Sequence, residues 1–182
     1  MNRIALQTRD TASGAAPELD VSEWLNARGP TGLAALRGKV VAVYAFQMLC
    51  PGCVSHGIPQ AKKIATVFSR DEVEVLGLHT VFEHHAVMGR EALRVFLHEY
   101  RIDFPVGIDR PSESGPVPAT MAAYRMRGTP TLLLFDRRGA LRHQLFGAAD
   151  DMQVGALVAT LAAEPAGAAA DGCDDGACAI RR

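Results

Sequence analysis

The sequence predicts an α/β domain: a central mixed sheet with flanking helices, extended by an N-terminal segment and a flexible C-terminal tail. Two observations carry this. The apolar runs at residues 40–46 and 73–80 are separated by a segment of helical periodicity. Strand–helix–strand order implies a right-handed crossover and a parallel pair. A third run, 131–135, is followed by the turn Asp136-Arg137-Arg138-Gly139 and an alternating stretch at 140–146, which reads as its antiparallel partner. The 182 residues suffice for one such domain with a substantial core.

Residues 1–18 are polar, small and without periodicity, and read as a flexible leader, so that the domain spans 19–164. Ser22 to Asn26 is expected to form a short helical turn whose Trp24 packs beside Leu33 and Leu36. The run from Val40 to Phe46 is continuous and rich in β-branched and aromatic residues, so it should be buried on both faces at the sheet centre. Ile58, Ala61, Ala65 and Phe68 then recur at helical spacing while Lys62 and Lys63 face water, with Pro59 inside and expected to kink the helix. The strand at 73–80 leads into Glu83-His84-His85, and Leu93, Phe96, Leu97 and Tyr100 mark an amphipathic helix. A short strand at 104–108, a Pro/Ser/Gly loop at 110–118 and a short helix at 119–126, stopped by Gly128, follow. Val154, Leu157, Val158 and Leu161 share one face of a last helix. Residues 165–182 turn to Ala, Gly and Asp, and read as a mobile tail that carries Cys173 and Cys178.

Composition narrows the partners. A net charge of −1 gives no electrostatic footprint for nucleic acid, and no run approaches the roughly 18 apolar residues of a membrane span. The first 20 residues lack the apolar core of a secretory signal, which makes a cytoplasmic location the expectation. In a reducing compartment four cysteines point to catalysis, redox sensing or metal binding rather than structural bridges.

Cys50 and Cys53, in Cys50-Pro51-Gly52-Cys53, lie where the central strand ends and a helix begins, a placement suited to thiol–disulfide chemistry. Together with Gly128-Thr129-Pro130-Thr131 opening the hairpin, Leu36-Arg37-Gly38-Lys39 before the first strand and Phe135-Asp136-Arg137-Arg138-Gly139 after the third, the chain resembles the thioredoxin superfamily over residues 20–163. It is most similar to the TlpA-like thiol–disulfide oxidoreductase (redoxin) branch. The resemblance implies a thioredoxin-like fold with Thr129-Pro130 as a cis peptide facing the cysteines, its backbone free to pair with an extended substrate segment. The chain departs from the family pattern in three places. Val43-Tyr44-Ala45 stands where an aspartate is common, His56 where TlpA-like proteins carry a glutamate, and the helix proline is shifted by one to Pro59.

In this reading Cys50, at the helix cap with Pro51 in the first turn, is the nucleophile, because the helix end favours an anion there. Cys53 is the resolving thiol, and His56, one turn on, is the candidate acceptor of its proton. No cofactor is implied. The partners are protein or small-molecule disulfides and an unidentified reductant. Cys173 and Cys178 are candidates for a tethered dithiol that relays electrons. Two rival functions remain. One is a peroxiredoxin-like thiol peroxidase, although Tyr44 and Gln47 do not match the approach to a peroxidatic cysteine. The other is a soft-metal (copper) binding protein that uses the cysteines with Glu83, His84 and His85.

Overall fold

In a computed structural model, which describes residues 16–113 and 115–165, six strands form one sheet in the order β1-β4-β3-β2-β5-β6. The strands are β1 (Val21–Leu25), β2 (Val40–Phe46), β3 (Val73–His79), β4 (Val106–Asp109), β5 (Thr131–Phe135) and β6 (Leu141–Phe146). Strands β2, β3 and β4 are mutually parallel, and β5, β6 and β1 are attached in antiparallel fashion. The helices are α1 (Ile58–Val67), α2 (Arg90–Glu99), α3 (Ala119–Ala123) and α4 (Asp151–Ala163).

All seven residues of β2 are buried. The period-2 pleat explains why the run has no polar alternation. Val40, Ala42, Tyr44 and Phe46 join the core made with α1, α2 and α4, while Val41, Val43 and Ala45 join the opposite core with Leu33, Met121 and Tyr124. Ile58, Ala61 and Ile64 turn α1 inward, and Leu93 and Leu97 do the same for α2.

Three expectations change. Ser22 to Asn26 is no helical turn; it lies within and beside β1, an edge strand paired antiparallel to β4. Its partner lies more than 80 residues away in the chain, so local pattern could not reveal it. Trp24 still packs with Leu33 and Leu36, and lies over Gly107 of β4. Ala16, Pro17 and Glu18, expected to belong to a flexible leader, are instead tied down. The Ala16 amide donates to Gly139, the Tyr124 hydroxyl to the Pro17 carbonyl, and the amides of Leu33 and Ala34 to the Glu18 carboxylate. Finally, α3 ends at Ala123 rather than at Met126, since Arg125 turns left-handed (φ 50°) and the Met126 amide closes on Met121. That helix is capped by Asp109, whose carboxylate accepts from the amides of Thr120 (2.8 Å) and Met121 (3.0 Å).

Candidate active site

The site grows from the carboxyl end of β2. Beyond Phe46 the chain turns through Gln47, Met48 and Leu49, and the Cys50 amide donates to the Gln47 carbonyl at 3.2 Å. Gln47 is only 2% exposed, and its side chain spans two elements. Its Oε1 accepts from the Phe82 amide (3.2 Å) and its Nε2 donates to Glu83 (3.4 Å). The cysteine turn is thereby fastened to the segment after β3. Nothing in the local sequence marks Gln47 for this role, because both partners are 35 or 36 residues away.

Cys50 immediately precedes Pro51, the first helical residue, and is half-buried. The Cys53 amide donates to Cys50 Sγ at 3.3 Å. The Cys50 thiol in turn donates to the Thr129 carbonyl at 3.5 Å. Both cysteines are free thiols. Cys53 has no exposed surface, and burial, reinforced by Cys50, pushes its thiol up to about 12. The other groups acting on it are the Gln47 backbone and the Thr129 side chain, and neither is a carboxylate.

The helix that carries the pair is not uniform. Cys53–Gly57 form a π-helical turn, and regular α-helix begins only at Ile58, so Pro59 sits in the first turn of α1, where its missing amide is tolerated. The expectation that Pro59 lies inside a helix and kinks it is therefore corrected: the proline stands at the start of α1, after the π turn. The Thr129-Pro130 peptide is cis, and Pro130 is buried against the cysteine-bearing turn. A Cβ on Gly52 would come within 3.3 Å of Pro130 Cδ, and one on Gly57 within 3.1 Å of Pro130 Cβ. Glycine at both positions lets the proline approach so closely.

His56 is placed one turn beyond Cys53, but its Nε2 meets the Ala149 carbonyl at 2.7 Å. The carbonyl can only accept, so Nε2 carries a proton and the neutral ring keeps Nδ1 as its acceptor. Among the described residues no hydrogen bond joins His56 to Cys53. Where an aspartate is common, Tyr44 is buried and donates to Gln60 (2.9 Å), which donates to the Ala149 carbonyl (2.9 Å) and to Asp151 (2.7 Å). Burial raises the Tyr44 phenol, so this network is neutral at Tyr44 and anionic only at Asp151, which Lys63 holds below the usual carboxylate range.

The metal candidates are not gathered. Glu83, His84 and His85 are exposed, His84 takes a left-handed conformation (φ 53°) and His85 opens a 3-10 turn, His85–Val87. Among the described residues no three His, Cys, Asp or Glu side chains converge on a metal position. Cys173 and Cys178 lie outside the described residues.

Among solved structures, a thioredoxin-like superfamily protein, SPOA0173, matches with 56% sequence identity over 84% of this chain and 99% of its own, with a TM-score of 0.81. The chain belongs to the thioredoxin-like superfamily. A thiol–disulfide isomerase from Corynebacterium glutamicum matches this thioredoxin-like chain with 51% identity over 82% of it and 97% of its own length, TM-score 0.79. The thioredoxin domain of a thiol–disulfide oxidoreductase from Bacteroides vulgatus shares the fold at 18% identity, covering 80% and 96% of the two chains, TM-score 0.62. No family profile and no curated protein sequence matches the chain.

Proposed function

We propose that this thioredoxin-like protein is a thiol–disulfide oxidoreductase that acts through Cys50 and Cys53. The observation that carries this is the asymmetry of the pair. Cys50 is accessible, with an amide aimed at its sulfur, whereas Cys53 is fully buried and held protonated. The Cys50 thiolate attacks a substrate disulfide, forms a mixed disulfide and expels one substrate thiolate. Cys53 then loses its proton and attacks Cys50 Sγ, which leaves a Cys50–Cys53 disulfide and frees the second substrate thiol. Two electrons have passed to the substrate, and an external dithiol restores them. His56, with Nδ1 open as an acceptor, is the base of this reading. Thr129 and Pro130 form the wall opposite, where Thr129 presents its backbone to an extended substrate.

The finer reading adds Cys173 and Cys178 as a tethered dithiol that exchanges with the oxidised Cys50–Cys53 pair. Cys173 lies 8 residues beyond Pro165, the last described residue, a link that spans at most about 29 Å when fully extended.

Turnover of a peptide disulfide by the full chain, with dithiothreitol as the reductant, tests the core of this reading. Cys50→Ser should abolish catalysed turnover, and Cys53→Ser should slow it, because each mixed disulfide must then wait for dithiothreitol to release it. Continued multiple turnover in Cys50→Ser would overturn it. His56→Gln should slow the resolving step and flatten its pH profile. An unchanged profile with a lower Tm would reduce His56 to a clamp on Ala149.

A further inference from the structure

A cavity of about 390 Å³ opens at the carboxyl ends of β3 and β4, the same end of the sheet from which β2 delivers Cys50. Open α/β sheets bind ligands at this end. His79, the last residue of β3, lines the cavity together with Val81, Met88, Ile108, Pro111 and Pro118. His79 is 1% exposed, and its Nε2 has no hydrogen-bond partner among the described residues. Its ring lies 5.4 Å from that of Phe46, its register partner on β2. Nothing in the exchange mechanism uses it. An unpaired buried polar atom is costly, on the order of 1–3 kcal/mol, and that cost is relieved when a partner arrives.

The chemistry of the partner follows from the wall. Burial lowers His79 to about 4, so the ring is neutral across the physiological range. Three other ionisable side chains line the wall. His85 is exposed to water at the rim, Arg90 is held by Glu23 and Glu91, and Asp109 by the amides that it caps. An ionic ligand therefore finds no free permanent counter-charge beside His79. A hydroxyl both donates and accepts, and so satisfies Nε2 in either imidazole tautomer. The aliphatic, thioether and proline lining asks for a flat apolar body behind that hydroxyl. We propose that the cavity is a recognition pocket for a phenol, supplied by a tyrosine side chain of the disulfide substrate, which makes the inference rest on the exchange reading.

The test uses the full reduced chain with ring-nitrogen-labelled histidine, titrated with 4-methylphenol, N-acetyltyrosinamide and N-acetylphenylalaninamide. The expected result is a saturable shift of the His79 Nε2 resonance with the two phenols and none with the phenylalanine amide. Binding should be about tenfold weaker in His79→Phe, the loss of one buried hydrogen bond. Should His79→Phe fail to fold, Val81→Trp blocks the cavity and should weaken phenol binding while leaving His79 in place. No saturable shift, or equal binding of the phenylalanine amide, overturns the proposal. Disulfide peptides that differ only in Tyr or Phe near the cysteine then identify the source. About tenfold faster reduction of the Tyr peptide supports a substrate tyrosine, and equal rates overturn it. Failure to reduce either peptide strikes at the exchange reading, while the phenol titration, which involves neither cysteine, still decides the pocket.

Discussion

Cys53 shows how a single residue's environment sets the order of events. Its thiol has no exposed surface and is pushed up to about 12, first by desolvation and then by Cys50. In the proposed exchange this leaves Cys50 as the attacking sulfur and makes resolution wait for Cys53 to lose its proton. The same shift is a stability statement. Between the ordinary thiol range near 9 and 12 the unfolded chain gives up this proton and the folded chain keeps it, so the folded state binds more protons and stability falls as pH rises. Chemical denaturation of the reduced protein from pH 8 to about 9.5, below the range in which the buried phenols of Tyr44 and Tyr124 add to the effect, should show this fall, and Cys53→Ala should remove most of it. Gln47 acts by position. Gln47→Ala leaves the Phe82 amide without its acceptor and frees the cysteine turn from the segment after β3. A loss of about 1–3 kcal/mol in denaturation midpoints is expected, with slower exchange at Cys50.

At the scale of elements, close approach is bought by glycine. The π turn from Cys53 to Gly57 lies against Pro130, and Gly57→Ala places a methyl 3.1 Å from its Cβ. The cysteine turn and the Thr129-Pro130 loop must then separate by a few tenths of an ångström. This should lower stability by about 1–3 kcal/mol and slow peptide-disulfide turnover more than it slows alkylation of Cys50 by a small reagent. Edge strand β1 has a similar dependence. Gly107→Ala would set a methyl 2.7 Å from Val21 Cγ1 and press on Trp24, so β1 should loosen and its amides exchange faster with deuterium. The elements differ in how plainly the sequence announces them. Strand β2, helix α1 and the Cys50/Cys53 turn follow one another, and their periodicity and cysteine spacing are local signals. Strand β1 exists because β4 is there to pair with, and the Tyr44–Gln60–Asp151 network because α4 returns to the foot of α1. Such pairings across 80 or 90 residues leave no periodic trace.

For the whole molecule, the polarity of the sheet does the organising. Parallel β2, β3 and β4 end together, so the cysteine turn, the Glu83 segment and the loop after β4 gather at one end, and antiparallel β5 brings Thr129-Pro130 to the same place at its start. Two cores, one under α1, α2 and α4 and the other under α3 and Leu33, hold the sheet between them. Among the described residues no helix is long and apolar enough to cross a membrane. The central claim is that Cys50 attacks and Cys53 resolves. It is tested most directly by mapping mixed disulfides by mass spectrometry, after mixing the full-length Cys53→Ser and Cys50→Ser variants with a peptide disulfide near neutral pH. The account predicts a stable adduct on Cys50 in the first variant and none on Cys53 in the second. An adduct on Cys53 in Cys50→Ser, formed as fast as that on Cys50 in the other variant, would contradict it.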